Sequence, residues 1–117
     1  MLDIKSDTRV FIYSKACDMR SGFDRLAQFV ENELGTNVLH GGLFVFFNRT
    51  RHRVRILYWD EDGYAIWYKR LEAGAFRVEL NSAHEEITGV DLKLLLSGVD
   101  QSRIRLKKRC KDSAMKC

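Results

Sequence analysis

The sequence predicts an α+β fold: a single domain, mostly antiparallel sheet, with a central three-stranded meander and two helices packed on it. Three observations point there. Between Gly41 and Phe76, three apolar runs rich in β-branched and aromatic residues are separated by two polar turns, the pattern of strands joined by hairpins. Ser21 to Leu34 instead repeats its apolar residues at helical spacing. Beyond the first helix no further helix separates two strands as a long crossover would, which favours an α+β arrangement with helices on one face of an antiparallel sheet.

The elements follow in order. Arg9 to Ser14 (RVFIYS) reads as a first strand and Lys15 to Arg20 as a connection. In the helix, Phe23, Leu26, Ala27, Val30 and Leu34 form one apolar stripe, with Arg25, Gln28, Glu31 and Asn32 facing water. Gly35 suits the left-handed position that ends a helix. The meander strands are expected at 43–47, 54–59 and 64–69. Asp62-Gly63 suits a two-residue type I′ turn, pairing Trp59 with Ile66 and Tyr58 with Trp67. Alternation then puts Val54, Ile56, Tyr58, Ala65 and Trp67 on the core side. Arg53, Arg55, Leu57, Trp59, Ile66, Tyr68 and Arg70 fall on the other side, which another element must cover or a partner must use.

After the meander, Leu71 to Gly74 reads as a short helical turn and Phe76 to Leu80 as a fourth strand. Thr88 is a good N-cap with Asp91 three residues on. It starts a helix from Gly89 to Ser97 that Gly98 ends. Residues 1–102 are expected to form the α+β domain, and 103–117 a basic strand or tail.

Composition narrows the function classes. The 117 residues are 45% hydrophobic and 31% charged, with net charge +4. Residues 103–117 alone hold seven Lys or Arg against one Asp, so the remaining residues carry slightly more acid than base. No apolar run approaches the roughly 18 to 20 residues that span a bilayer, and the start of the chain has no apolar signal core. A cytoplasmic protein without a membrane partner is expected. Cys17, Cys110 and Cys117 are widely spaced, form no C-x-x-C pair and have no histidine at zinc-finger spacing. Reduced thiols are the simplest reading.

The chemistry-bearing residues favour binding over catalysis. Asn48 to Arg55 carries Arg49, Arg51, Arg53 and Arg55 and no acid. Guanidinium groups pair with phosphate through parallel hydrogen bonds, so this turn is the leading nucleic-acid site, extended by Lys107, Lys108 and Arg109. A solvated hairpin whose charges guard a sheet edge is the plainer alternative. Arg20, Trp59, Tyr68 and Arg70 are candidate contacts for a partner or an unpaired base. Trp59, Tyr68 and Arg70 would alternatively pack beneath the C-terminal helix, and Arg20 would pair with Asp24. Asp60-Glu61-Asp62-Gly63 is common turn chemistry, and it lacks the distal ligands of a calcium loop. No phosphate loop is present. Cys17 has no histidine near it in sequence that would make it a nucleophile. No enzyme, metal or cofactor is expected.

The chain also resembles a known family, the TnpB or second-open-reading-frame accessory protein of bacterial insertion sequences of the sixty-six type. Three blocks carry the likeness. The first is Asp18-Met19-Arg20 with Gly22-Phe23-Asp24 and Leu26-Ala27. The second runs from Gly42-Leu43-Phe44-Val45-Phe46 and Asn48-Arg49 through Leu57-Tyr58-Trp59-Asp60 and Asp62-Gly63. It continues in Trp67-Tyr68-Lys69-Arg70-Leu71-Glu72 to Gly74 and Phe76. The third is Leu94-Leu95-Leu96 with Gly98 and Asp100. Lys15-Ala16-Cys17 stand where the family has Gly-Pro-Thr. The resemblance implies a part in DNA transposition, beside a separate transposase and another accessory protein of the same mobile element, with DNA at the element's ends as a further partner. It supplies no catalytic residues. Docking on the transposase through exposed aromatics (Tyr58, Trp59, Trp67 or Tyr68) is the alternative to DNA binding.

Overall fold

A computed structural model describes residues 2, 4–78 and 84–98 of the chain. Lys107, Lys108 and Arg109, the rest of the 103–117 segment, and Glu79 and Leu80 at the end of the expected fourth strand lie outside the described residues.

Among the described residues the strands are β1 (Arg9–Ile12), β2 (Leu43–Phe47), β3 (Arg53–Asp60), β4 (Gly63–Arg70) and β5 (Glu85–Thr88). They form one sheet in the order β4-β3-β2-β1-β5. Only β1–β2 is parallel; the other three pairings are antiparallel. The crossover between β1 and β2 carries helix α1 (Phe23–Phe29), which runs on as a π-helical segment, Val30–Leu34, and ends at Gly35 with φ 67°. The second helix, α2 (Gly89–Ser97), starts on the expected capping box. Thr88 Oγ1 accepts from Asp91 N at 3.2 Å, and Thr88 N donates to the Asp91 carboxylate at 3.4 Å. The α+β class with a mostly antiparallel sheet and central meander is therefore what the chain adopts.

Strand β2 explains how the layers divide. All five residues of Leu43–Phe47 are buried, as a central strand covered on both faces requires. Leu43, Val45 and Phe47 join Val54, Ile56, Phe76 and Leu92 of α2 in one cluster. Phe44 and Phe46 join Leu57, Tyr13, Cys17 and α1's Leu26 and Ala27 in the other. The helices thus cover opposite faces of the sheet, not the same one. The face carrying Trp59 and Ile66 is covered by α1, where the C-terminal helix was the expected cover. Leu57, Trp59 and Ile66 give that face too much apolar surface to leave in water.

The turn between β3 and β4 sits one residue earlier than expected. Asp60 pairs with Gly63, Trp59 with Tyr64 and Ile56 with Trp67. Glu61 and Asp62 are the turn residues, Glu61 with φ 50°. Packing outweighs the preference for Gly63 in the turn. Trp59 and Tyr64 face each other edge-on at 5.3 Å, and the Trp59 indole donates to Glu61 O at 3.2 Å. Moving the turn by one residue moves every cross-strand partner by two, so the two faces keep their expected members.

Two further expectations fail after β4. Leu71–Gly74 is a bend with Gly74 at φ 83°, not a helical turn. Phe76–Val78 is not a strand. Leu71 N donates to His52 O at 2.7 Å and Phe76 N to Arg51 O at 2.8 Å, so the segment spends its amides on the β2–β3 turn. The Phe76 ring is buried against Phe47, centroids 5.8 Å apart. Instead, β5 supplies the remaining strand, against β1, where Arg9 and Glu86 form an ion pair at 2.8 Å.

Candidate nucleic-acid interface

The β2–β3 turn is held by Asn48. Its side-chain carbonyl accepts from Arg53 N at 3.0 Å and its backbone carbonyl from Arg51 N at 3.0 Å. Its Nδ2 donates to Thr50 Oγ1 at 3.2 Å. Arg51 adopts φ 60°, a left-handed conformation costly for a residue with a Cβ. The backbone bonds to the 71–76 segment hold it there.

The four arginines do different work. Arg49 is exposed on the turn. Arg51 Nη1 donates to Val78 O at 2.7 Å, fastening the later segment down. Arg55 Nη1 donates to Met19 O at 2.8 Å and also to Ser21 O, tying the approach to α1 onto β3. Its guanidinium lies 5.9 Å from the Tyr68 ring centroid. Arg53 stands directly opposite Arg70 across the β3–β4 pair, where like charges destabilise a sheet. Arg70 has Glu72 at 2.9 Å. Arg53 Nε is buried with no hydrogen-bond partner among the described residues, a state that costs about 1–3 kcal/mol. Among the described residues, none of Arg49, Arg51, Arg53 or Arg55 forms an ion pair with a carboxylate.

Arg20 comes to the same place from another part of the chain. It precedes α1, whose N-cap is Gly22, and its partner is Asp18, not Asp24. Arg20 Nη2 donates to Asp18 Oδ2 at 2.8 Å, while Arg20 Nε and the backbone N donate to Oδ1 at 3.1 and 2.9 Å. The side-chain hydrogen bonds from Arg20, then the backbone one, lower the Asp18 pKa from 3.8 to about 2. The Asp-Met-Arg block is thus a compact Asx-type turn that presents a cation beside β3.

Together these residues line a groove of about 340 Å³, with Arg20, Phe23, Arg53, Arg55 and Tyr68 on its walls beside Met19 and Ile66. Among the described residues no carboxylate lines it. Phe23 and Tyr68 remain 47% and 48% exposed. Reading the sequence alone missed Phe23 and Met19. Phe23 fits the helix's apolar stripe, but as its first residue it extends beyond what the sheet covers. Trp59, grouped with Tyr68 as a contact, sits four residues along the strand from the position opposite Tyr68, about 13 Å away, and packs with α1's cluster. Tyr58 and Trp67 pack against the other cluster.

Cys17 is buried and burial pushes its pKa up, the opposite of an activated thiol. Among the described residues no three His, Cys, Asp or Glu side chains are placed to hold a metal ion. No helix among them is long and apolar enough to cross a membrane.

The family described as IS66 Orf2 like protein matches residues 8–106, which include every strand, both helices and the whole groove. The chain belongs to the IS66 Orf2-like family. As such it has an accessory role in transposition of an IS66-type insertion sequence. An IS66 Orf2-like chain of this kind has relatives in Sinorhizobium fredii. The uncharacterised protein y4hO is 36% identical over 101 residues, covering 86% of this chain and 88% of the relative. A second, y4jC, is 29% identical over 102 residues, covering 85% and 86%. No solved structure matches.

Proposed function

We propose that this IS66 Orf2-like protein is a non-catalytic DNA-binding factor. It holds the phosphate backbone of insertion-sequence DNA on its basic turn and adjoining groove, while a separate transposase carries out strand transfer. The observation that carries the reading is Arg53, which faces Arg70 across the ladder and has no carboxylate partner among the described residues, whereas Arg70 pairs with Glu72. A rigid turn that sets like charges face to face sacrifices stability that a polyanion restores. Arg49, exposed on the turn, extends the positive surface. Arg51 and Arg55 act by holding it in shape.

Docking on the transposase through aromatics is less well supported. Of Tyr58, Trp59, Trp67 and Tyr68, only Tyr68 is largely exposed, and it lies among arginines.

Fluorescence anisotropy with a duplex from the element's ends, measured across salt concentrations, tests the reading. Each neutralised phosphate adds about −0.9 to the slope of log affinity against log salt. A slope of roughly −3 is expected from three contacts. The double variant Arg49→Ala/Arg53→Ala should flatten it by about 2. Absence of binding at low salt by the folded protein defeats the proposal.

A further inference from the structure

We infer that the groove beside β3 accepts an unpaired nucleotide of a DNA strand, with its base against Phe23 and Tyr68 and its phosphate on Arg53. The inference rests on the DNA-binding reading and narrows it to a strand whose bases are accessible.

Phosphate attraction accounts for the arginines but not for the aromatics. A duplex presents its charged backbone outward and keeps its bases stacked inside. Arginines alone would suffice to follow it. Here two large rings, each about half exposed, face water in the same groove as three guanidinium groups. Aromatic faces beside a basic track are the recurring means of holding single strands, because every base offers a π-face. The groove's size, about 340 Å³, is at the small end of sites that enclose one compact ligand.

The internal bonds divide the labour. Arg55 is committed to Met19 O and Ser21 O, and its guanidinium lies over the Tyr68 ring. It is a positioning residue, setting the distance between the 19–23 segment and β3 and so the width between the rings. Arg53 lines the groove and has no carboxylate partner among the described residues, so its guanidinium is the charge open to an incoming phosphate. Arg20 is ion-paired with Asp18, so its charge is already balanced and it serves as a wall of the groove. A base-bearing strand is favoured over a peptide because two half-exposed rings stand beside the arginines, offering a face for a base as well as charge for its phosphate.

The test uses the full chain and three labelled probes. These are an oligothymidylate of about twelve nucleotides, the same strand made abasic throughout, and a duplex from the element's ends. The oligothymidylate should bind about tenfold or more tightly than the abasic strand, which has the same charge without the bases. Tyr68→Ala and Phe23→Ala should each weaken oligothymidylate binding by about 5- to 100-fold and weaken binding of the abasic strand far less. Tyr68→Phe should retain the wild-type preference. Both side chains are half exposed, so the variants should fold, which circular dichroism checks. Equal affinity for the base-bearing and abasic strands overturns this inference alone while duplex binding persists. Failure of folded protein to bind any of the three probes removes both readings.

Discussion

Strand β3 ends in two charged turns that are built in opposite ways. At its start, the basic turn is fixed by Asn48, by backbone bonds from Leu71 and Phe76, and by the Arg51 side chain on Val78 O. At its end, the acidic turn is two exposed residues long, with the Trp59 indole on Glu61 O and Asp62 N on Asp60 O. Asp60, Glu61 and Asp62 can spread into water. Arg53 is more confined: the ladder sets it opposite Arg70, and its Nε is buried, while Arg70 turns out to Glu72. Charge density alone does not separate a binding surface from a solvated tip. What separates them is whether the fold immobilises charges that would otherwise move apart.

The largest test of that contrast removes the anchor. Phe76→Ala should lower stability by about 3–5 kcal/mol, as deletion of a buried aromatic does, measured by denaturant unfolding. Hydrogen exchange should rise at Arg51 and Arg53 before it rises at Glu61 and Asp62. A loss below about 1 kcal/mol would mean that Asn48 holds the basic turn unaided.

A smaller effect has the opposite sign. Arg53→Gln removes one of two opposed cations and should raise thermal stability by about 0.2–1 kcal/mol, the gain shrinking as salt screens the pair. Duplex affinity should fall in the same variant, with the salt slope flatter by about 1. If stability drops instead, Arg53 is a residue of the fold and the polyanion argument fails.

The smallest effect concerns the one carboxylate engaged with Arg20. Carboxyl NMR should place the Asp18 midpoint at about 2, below its ordinary 3.8. Because the folded value is depressed, the stabilisation from this pair is in full above about 3.8 and is lost as pH falls through about 2. Arg20→Ala should return the midpoint towards 3.8. An unchanged midpoint would show that the backbone amide alone holds Asp18.

Local signals in the sequence revealed what local forces decide. The Thr88 capping box, the left-handed Gly35 and both faces of the meander were legible, since each depends on residues a few positions apart or on simple alternation. The β3–β4 register was not, because the Trp59–Tyr64 contact outweighs the preference of Asp62-Gly63 for the turn. Strand β5 was invisible. Glu85-Glu86-Ile87-Thr88 has no strand pattern of its own, and its partner lies nearly eighty residues away. The arginine turn was found from composition. The groove was not, since Arg20 and Phe23 reach it only through the Arg55 bonds to Met19 O and Ser21 O.

The pairing of β1 with β5 bears on how the chain is made. Residues 43–70 complete their hairpins from neighbours in sequence, whereas Arg9–Ile12 must wait for Glu85–Thr88 to leave the ribosome before its outer edge is closed. Near contacts form quickly and distant ones late. The half of the molecule bearing the arginines can therefore take shape first, leaving a nascent chain with an open edge for as long as translation needs to reach the second helix.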